Sequence, residues 1–473
     1  MSVSREDLNL IVQEVLSRIG NGPVATAPAK PATSHGRGVF ESVDDAVAAA
    51  DRAQKQLVDL PLATRGKIIA NMRRRALEKV EELARFANKE TGYGRIDDKI
   101  QKNKLVIEKT PGIEDLQPDA HTGDSGLTLM EKAPYGVIGA ITPSTNPTAT
   151  VICNSIGMIA AGNGVVFAPH PAAAKCSQFA MSLLNEAIVE AGGPENLLTT
   201  ILEPSIENAQ KIMTHPGIRL LTVTGGPGVV AAASKSRKKY IAAGPGNPPA
   251  VVDETADLRK AARDIVSGAS LDNNVLCIAE KEIIVVESVA DELKKHLRNS
   301  GAYEASAREI QQLEKICLDH KTGAPNRNLV GRNASVIMAE IGVRIPEETR
   351  IILCETAPDH PFVVEELLMP VIPLVRVRDV YAAIDLAVKV EAGNRHTAVM
   401  HSKNIDNLHL MARKCDCSIF VKNGPSYAGL GLGGEGHTTM TIASPTGEGI
   451  TSARSFTRQR RCVIVDPESS EQK

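Results

Sequence analysis

Between residues 149 and 224 the apolar positions change period in a fixed order. They read as helix 149–161, strand 164–168, helix 172–191, strand 197–202, helix 206–214 and strand 220–224. Such alternation predicts a parallel sheet with crossover helices, an α/β fold. Upstream, 39–89 reads as mostly helical, beginning near Ser42 with Asp44 and Asp45 in its first turn and broken at Pro61. Arg73, Arg74 and Arg75 read as a solvated face of that helical region. Strands are expected at 127–131 and 135–141, then at 240–243 and 250–252. A helix over 257–267 and an apolar strand over 281–286 open a second α/β domain. The stretch 455–465 reads as an exposed strand, a liability unless a neighbouring subunit pairs with it, so a homo-oligomer is expected.

The N-terminal segment has its own pattern. Leu8, Ile11, Val12, Val15 and Ile19 share one helical face, Ser4 and Asp7 form a capping-box pair, and Gly20 marks a stop. The following Pro, Ala and Gly-rich stretch reads as a flexible tether, which leaves the helix no intrachain core to cover. Such a helix docks on another protein or packs on its own oligomer.

Charge and composition narrow the function. With 54 basic and 56 acidic residues and no long single-sign block, neither nucleic acid nor an anionic membrane is an implied partner. No apolar run reaches the roughly 18 residues that span a bilayer, and the N-terminus lacks the order of a signal peptide, so a cytoplasmic protein is expected. Eight cysteines form no Cys-x-x-Cys pair and no zinc spacing, which fits a reducing compartment and no metal site. At 473 residues the chain is expected to divide into two or three domains.

The candidate chemistry lies at strand ends. In an open parallel sheet, ligands bind beyond the carboxyl ends of strands, so the loops 142–146, 169–171 and 224–228 face one crevice. Gly225-Gly226-Pro227-Gly228 joins a strand to a helix starting near Pro227, and its N–H groups suit a pyrophosphate. It lacks the Gly-x-Gly-x-x-Gly spacing and also fits a plain turn. A second turn, from Gly244 to Pro249, brings bare backbone toward the same crevice. Small and polar residues then lead to Cys277, a candidate nucleophile against the alternative of a buried structural cysteine.

These landmarks together carry a resemblance. The Thr142-Pro143 loop, Gly162-Asn163, Thr224-Gly225-Gly226, Cys277 and Glu366 with Pro370 are similar in order to the aldehyde dehydrogenase superfamily, over nearly the whole chain after Val39. The segments Pro143-Ser144-Thr145-Asn146-Pro147, Ala168-Pro169-His170-Pro171, Gly244-Pro245-Gly246-Asn247-Pro248-Pro249 and Phe420-Val421-Lys422-Asn423-Gly424-Pro425 resemble its CoA-acylating branch, the propionaldehyde and acetaldehyde dehydrogenases of bacterial propanediol- and ethanolamine-utilisation microcompartments.

The resemblance implies an NAD-dependent oxidation of a short-chain aldehyde in which Cys277 forms a thiohemiacetal and then a thioester that coenzyme A takes up. It makes the Cys277 N–H and a side chain at Thr145 or Asn146 the oxyanion donors, each typically contributing about 3–4 kcal/mol. Hydrolytic relatives carry a glutamate base where this sequence has Ala243, so the expected product is acyl-CoA rather than free acid. Thr142, Pro143, Ser144, Pro169, His170, Pro171, Gly225, Gly226, Pro227, Gly228, Ala243, Gly244, Glu366 and Leu368 are the expected cofactor-binding residues. Ala168 and Pro171 replace the lysine and glutamate that hold the adenosine ribose in hydrolytic relatives. Glu365 is an alternative to Glu366, and a surface carboxylate pair is the plain reading of both. His396 is a candidate for the site rim against a structural role.

By the same resemblance the chain divides into a targeting helix (1–20), a linker (21–38), a Rossmann-type dinucleotide-binding domain (39–242) with an oligomerisation hairpin near 120–135, a catalytic domain (243–426) and a returning tail (427–473). The helix would direct the enzyme into a microcompartment shell, and the oligomer would be a dimer or tetramer. A hydrolytic dehydrogenase and a non-catalytic cargo protein are the competing readings.

Overall fold

The computed structural model describes residues 37–319 and 321–465; the predicted targeting helix, most of its linker and 466–473 lie outside the described residues. β1 (Val39–Phe40) is a buried strand inside a stretch assigned by periodicity to helix, and two residues are too few to carry a period. Ser42 then accepts the Asp45 N–H and caps the helix Val43–Asp59, with Asp44 and Asp45 at the positive end of its dipole. Helices Leu62–Glu78, Val80–Thr91 and Ile96–Lys109 follow.

The arginine run is not one solvated face. Arg73 donates to the carbonyls of Ile107, Glu108 and Thr110 at the end of the helix Ile96–Lys109, and Arg75 pairs with Glu186 and Glu190. Arg74 alone is exposed. Successive helical positions point in different directions, so three adjacent like charges cannot share one environment.

A hairpin of β2 (Asp119–Gly123) and β3 (Gly126–Pro134) precedes β4 (Val137–Thr142), β5 (Gly164–Pro169), β6 (Leu198–Ile201), β7 (Ile218–Thr224) and β8 (Lys239–Ala243). With β1 they make a parallel six-stranded sheet in the order β1-β6-β5-β4-β7-β8. β4 and β5 are buried along their whole length, which explains their unbroken apolar runs. The strand order reverses beside β4, where β5 lies on one side and β7 on the other, and this opens a crevice beyond their carboxyl ends.

β9 (Pro249–Val252), β10 (Glu282–Val286), β11 (Ala302–Glu304), β12 (Ile351–Glu355), β13 (Val371–Val377), β14 (Thr397–His401) and β15 (Ile419–Lys422) form a second parallel sheet. Its order is β11-β12-β13-β10-β9-β14-β15. A small antiparallel pair, β16 (Ile442–Ala443) and β17 (Gly449–Ile450), leads to β18 (Thr457–Val465). β18 pairs antiparallel with β3 from Thr457 opposite Pro134 to Val465 opposite Gly126. The terminal strand thus satisfies one edge within its own chain, while Val463, Ile464 and Val465 stay exposed.

The segment that carries Cys277 has the least ordinary backbone. After the helix Leu258–Ser270, Asp272, Asn273 and Asn274 adopt φ values of 52°, 55° and 67°, three consecutive left-handed residues without a glycine. Asp and Asn tolerate that region because short polar side chains can hydrogen-bond nearby backbone. Here all three are buried and committed. Asp272 accepts the Arg95 N–H at 2.8 Å and ion-pairs with Lys99 at 3.0 Å and with Lys102. Asn273 accepts from Arg95 Nε and donates to Gly331 O and Asn333 Oδ1. Asn274 donates to the carbonyls of Ala269 and Glu280.

Burial alone would raise the Asp272 carboxyl, but Lys102 and Lys99 outweigh it and hold it below its ordinary range. Removing the carboxylate strands two buried ammonium groups. Asp272→Ala is therefore expected to destabilise the protein by about 3–5 kcal/mol, read as a lowered denaturant midpoint; an unchanged midpoint would contradict this account of the turn.

Candidate active site

The crevice predicted from strand order is a cleft of about 500 Å³. One wall is built from the ends of the first sheet. Thr142, Pro143, Ser144, Thr145 and Asn146 follow β4; Pro169, His170 and Pro171 end β5; Gly225, Gly226 and Gly228 follow β7; Ala243 and Gly244 end β8. The opposite wall holds Cys277 with its neighbours Val275, Leu276 and Ile278, and Glu366 with Leu368. Of the expected catalytic and cofactor-binding residues, leaving aside the alternatives Glu365 and His396, Pro227 alone is outside the lining; it occupies the first position of the helix Pro227–Lys235, where a missing N–H costs nothing. A Cβ placed on Gly226 or Gly228 would meet no atom within 4 Å, so their bare backbone faces open space rather than protein.

Three of the residues lining the cleft carry titratable side chains: His170, Cys277 and Glu366. His170 is exposed, and its Nδ1 accepts the Ala172 N–H at the start of a short 3-10 turn. Cys277 is half-buried. Its thiol is pushed up to about 12 by burial and by the charge of Glu366, against the pull of Lys281, its own backbone N–H and Lys102. The Glu366 carboxyl is raised to about 7 by burial, eased by Lys281 and the Gly246 N–H.

Two buried lysines that the sequence did not single out surround the Cys277 segment. Lys281, buried, donates to Asn274 O at 2.8 Å, Asn274 Oδ1 at 2.7 Å and Leu276 O at 3.2 Å, and lies 4.0 Å from Glu366 Oε1. It ties down the loop immediately before the nucleophile. Lys102 bridges Asp272 and Asn146 Oδ1. An ammonium group only donates, so Asn146 must turn its oxygen to Lys102, which leaves its amide N–H groups as donors; one reaches Thr145 Oγ1 at 3.3 Å. Burial lowers Lys102 to about 8, with Asp272 pulling the other way. A lone lysine opening an apolar strand was the available sign for Lys281; Lys102 gave none, because it lies on an otherwise ordinary charged helix.

The Gly244 to Pro249 turn serves two surfaces. Gly244 lines the cleft. A Cβ on Gly246, by contrast, would lie 2.6 Å from Cys277 O and 3.0 Å from His396 Cγ, so this position is closed to any larger residue. His396 is accordingly not at the rim: it is fully buried behind the turn, its Nδ1 2.9 Å from Thr397 Oγ1. Glu365, the alternative to Glu366, is exposed and outside the cleft. Leu368 holds φ 54°, a strained value for a leucine, and its carbonyl accepts the Gly331 N–H at 2.9 Å. Among the described residues no cluster of His, Cys, Asp and Glu is arranged to hold a metal, and all eight cysteines are free.

A sequence model described as the aldehyde dehydrogenase family matches residues 26–303, more than half of the chain. The acetaldehyde dehydrogenase (acetylating) EutE of Salmonella typhimurium is 54% identical over 469 residues, covering 98% of this chain and 99% of its own length. The chain belongs to the aldehyde dehydrogenase family.

Solved structures of other family members superpose on this aldehyde dehydrogenase. Rhodopseudomonas palustris propionaldehyde dehydrogenase, solved with bound CoA and an acylated cysteine, is 52% identical with a TM-score of 0.89, covering 90% of this chain and 98% of its own. A propionaldehyde dehydrogenase from the Clostridium phytofermentans fucose-utilisation bacterial microcompartment is 48% identical, again with a TM-score of 0.89, covering 91% and 98%.

Proposed function

We propose that this aldehyde dehydrogenase converts a short-chain aldehyde, acetaldehyde or propionaldehyde, with NAD and coenzyme A into the acyl-CoA. The observation that carries the reading is a cleft with one nucleophile, Cys277, and no carboxylate at Ala243. Cys277 Sγ attacks the aldehyde carbonyl, and the oxyanion is received by the Cys277 backbone N–H and the amide of Asn146. Lys102 fixes the donating orientation of that amide, and Thr145 supports Asn146 rather than replacing it. NAD, when bound, accepts the hydride that leaves carbon.

The residues present suit a dinucleotide. Gly225, Gly226 and Gly228 present open backbone at a helix start, and Glu366 Oε1 is a buried acceptor without a hydrogen-bond partner in the cleft. Thr142, Pro143, Ser144, Pro169, His170, Pro171, Ala243, Gly244 and Leu368 supply the remaining walls, with the six-stranded sheet as the dinucleotide-binding domain (39–242) and the seven-stranded sheet as the catalytic domain (243–426).

Cys277 is then left as a thioester, and the cleft decides which nucleophile removes it. Water, with a pKa near 15.7, needs a strong base at the attacking face. A thiol ionises near 8.5 and needs much less help. Relatives named for acetylating and CoA-bound, acyl-cysteine chemistry support the same outcome.

NADH formation from propionaldehyde and NAD, followed by absorbance, is expected to turn over only when CoA is added and to vanish in Cys277→Ala. Steady turnover without CoA would favour the hydrolytic reading, and activity surviving in Cys277→Ala would overturn the mechanism.

The likeness to a microcompartment enzyme supports encapsulation through residues 1–20, and the open edge of β18 supports a homo-oligomer. Among the described residues no helix is long and apolar enough to cross a membrane. Deleting residues 1–20 is expected to abolish co-sedimentation with shells while leaving turnover intact; unchanged co-sedimentation would refute the targeting role.

A further inference from the structure

Resting on the oxyanion site just proposed, we infer that Lys281 is a positioning residue for it: the buried ammonium grips the Leu276 carbonyl and so aims the Cys277 N–H, which shares that peptide unit, at the substrate oxygen. Lys281 Nζ lies 3.2 Å from Leu276 O, 2.8 Å from Asn274 O and 2.7 Å from Asn274 Oδ1. Leu276 O and the Cys277 N–H belong to one planar, trans peptide. They point in opposite directions, so whatever fixes the carbonyl on one side fixes the N–H on the other. Leu276 O accepts a second bond, from the Ala279 N–H at 3.2 Å, whereas among the described residues no backbone carbonyl takes the Cys277 N–H. Leu276 and Cys277 both line the cleft.

Lys281 is itself firmly held. Its N–H donates at 3.0 Å to Pro248 O, in the same turn whose Gly246 closes on the Cys277 carbonyl, and its side chain is 2% exposed. Three oxygens take the three hydrogens of the ammonium, and Glu366 Oε1 at 4.0 Å stands beyond hydrogen-bond reach. A buried cation satisfied by amide oxygens, without a contact carboxylate, is a costly way to fasten a loop, because a neutral donor carries a much smaller desolvation penalty. The charge adds polarisation. By drawing electron density toward the carbonyl oxygen, it leaves the N–H at the other end of the amide a stronger donor.

The opposite side of the site repeats the arrangement. Lys102, also buried, binds Asn146 Oδ1 and leaves the N–H groups of that amide to donate. Two amides on loops from different sheets are thus each gripped at oxygen by a buried ammonium. Lys102 orients a side chain that could otherwise turn over, and Lys281 orients a unit of backbone.

The test reads the carbonyl of the acyl-enzyme. Full-length enzyme is acylated with isotope-labelled propionaldehyde and NAD in the absence of CoA, the label is located by peptide mass spectrometry, and infrared difference spectra give the thioester stretch. An acylated sulfur carries no proton, so this band is blind to any effect of Lys281 on thiol ionisation. The wild-type band is expected below that of a free thioester. In Lys281→Met, similar in shape but unable to donate, it is expected to move to higher frequency, with discharge to CoA slowed about 100-fold. A band that stays in place in Lys281→Met, even with a lowered denaturant midpoint, makes the lysine a structural fastening only and overturns the proposal. Should Lys281→Met fail to fold or to acylate, Lys281→Gln, which keeps a neutral donor and removes the charge, is read in the same way. Asn146→Ala in parallel separates the levels. A band that moves in Asn146→Ala but in neither Lys281 variant overturns the role of Lys281 alone. A wild-type band already at the free-thioester position overturns the oxyanion site beneath it, and label absent from Cys277 overturns the nucleophile assignment.

Discussion

One buried carboxylate shared between two ammonium groups holds the catalytic loop in shape. Asp272 binds Lys99 and Lys102 from the helix Ile96–Lys109 and the N–H of Arg95 just before it. That clamp fixes the left-handed turn from which the chain runs to Cys277, and the clamp's second lysine continues to Asn146. The proposed nucleophile Cys277 and the proposed oxyanion donor Asn146, on loops from two different sheets, are therefore positioned by the same charge cluster. Burying three charges is expensive, and such a cluster contributes more to geometry than to net stability. Here the geometry concerned is the one the chemistry needs.

The electrostatics of the cleft follow from how little charge it contains. With Ala243 at the end of β8, Glu366 is the one carboxyl lining the cleft, and burial raises both it and the Cys277 thiol. Lys281 moderates both while its hydrogen bonds secure the loop before Cys277. With no carboxylate at Ala243, a thioester on Cys277 is expected to yield to a thiol more readily than to water. Gly246 adds a steric condition, since a single methyl group there would press on the Cys277 carbonyl.

Much of this was legible along the chain. The helix predicted at 206–214 is Ile206–Thr214, the alternation through residue 224 is the parallel sheet, and the loops assigned to one crevice line one cleft. These features depend on local periodicity and on topology rules that a single sequence carries. What was missed depends on distance along the chain. Lys102 meets Asp272 across 170 positions, and Arg73 meets carbonyls more than thirty residues away, so neither contact leaves a local pattern. His396, a rim candidate weighed against a structural role, is buried against the Gly246 turn, a packing contact that spacing along the chain does not reveal. The C-terminal strand was read correctly as exposed, but its partner β3 lies over 320 residues upstream and was invisible to spacing.

The central claim is that Cys277 passes an acyl group between two substrates and does not release it to water. Intact-protein and peptide mass spectrometry of the enzyme after propionaldehyde and NAD, without CoA, tests this most directly. The account predicts one propionyl group on the Cys277 peptide, stable over many turnover times and discharged as propionyl-CoA when CoA is added. An acyl group on another residue, or one lost to water as propionate before CoA is added, would contradict it.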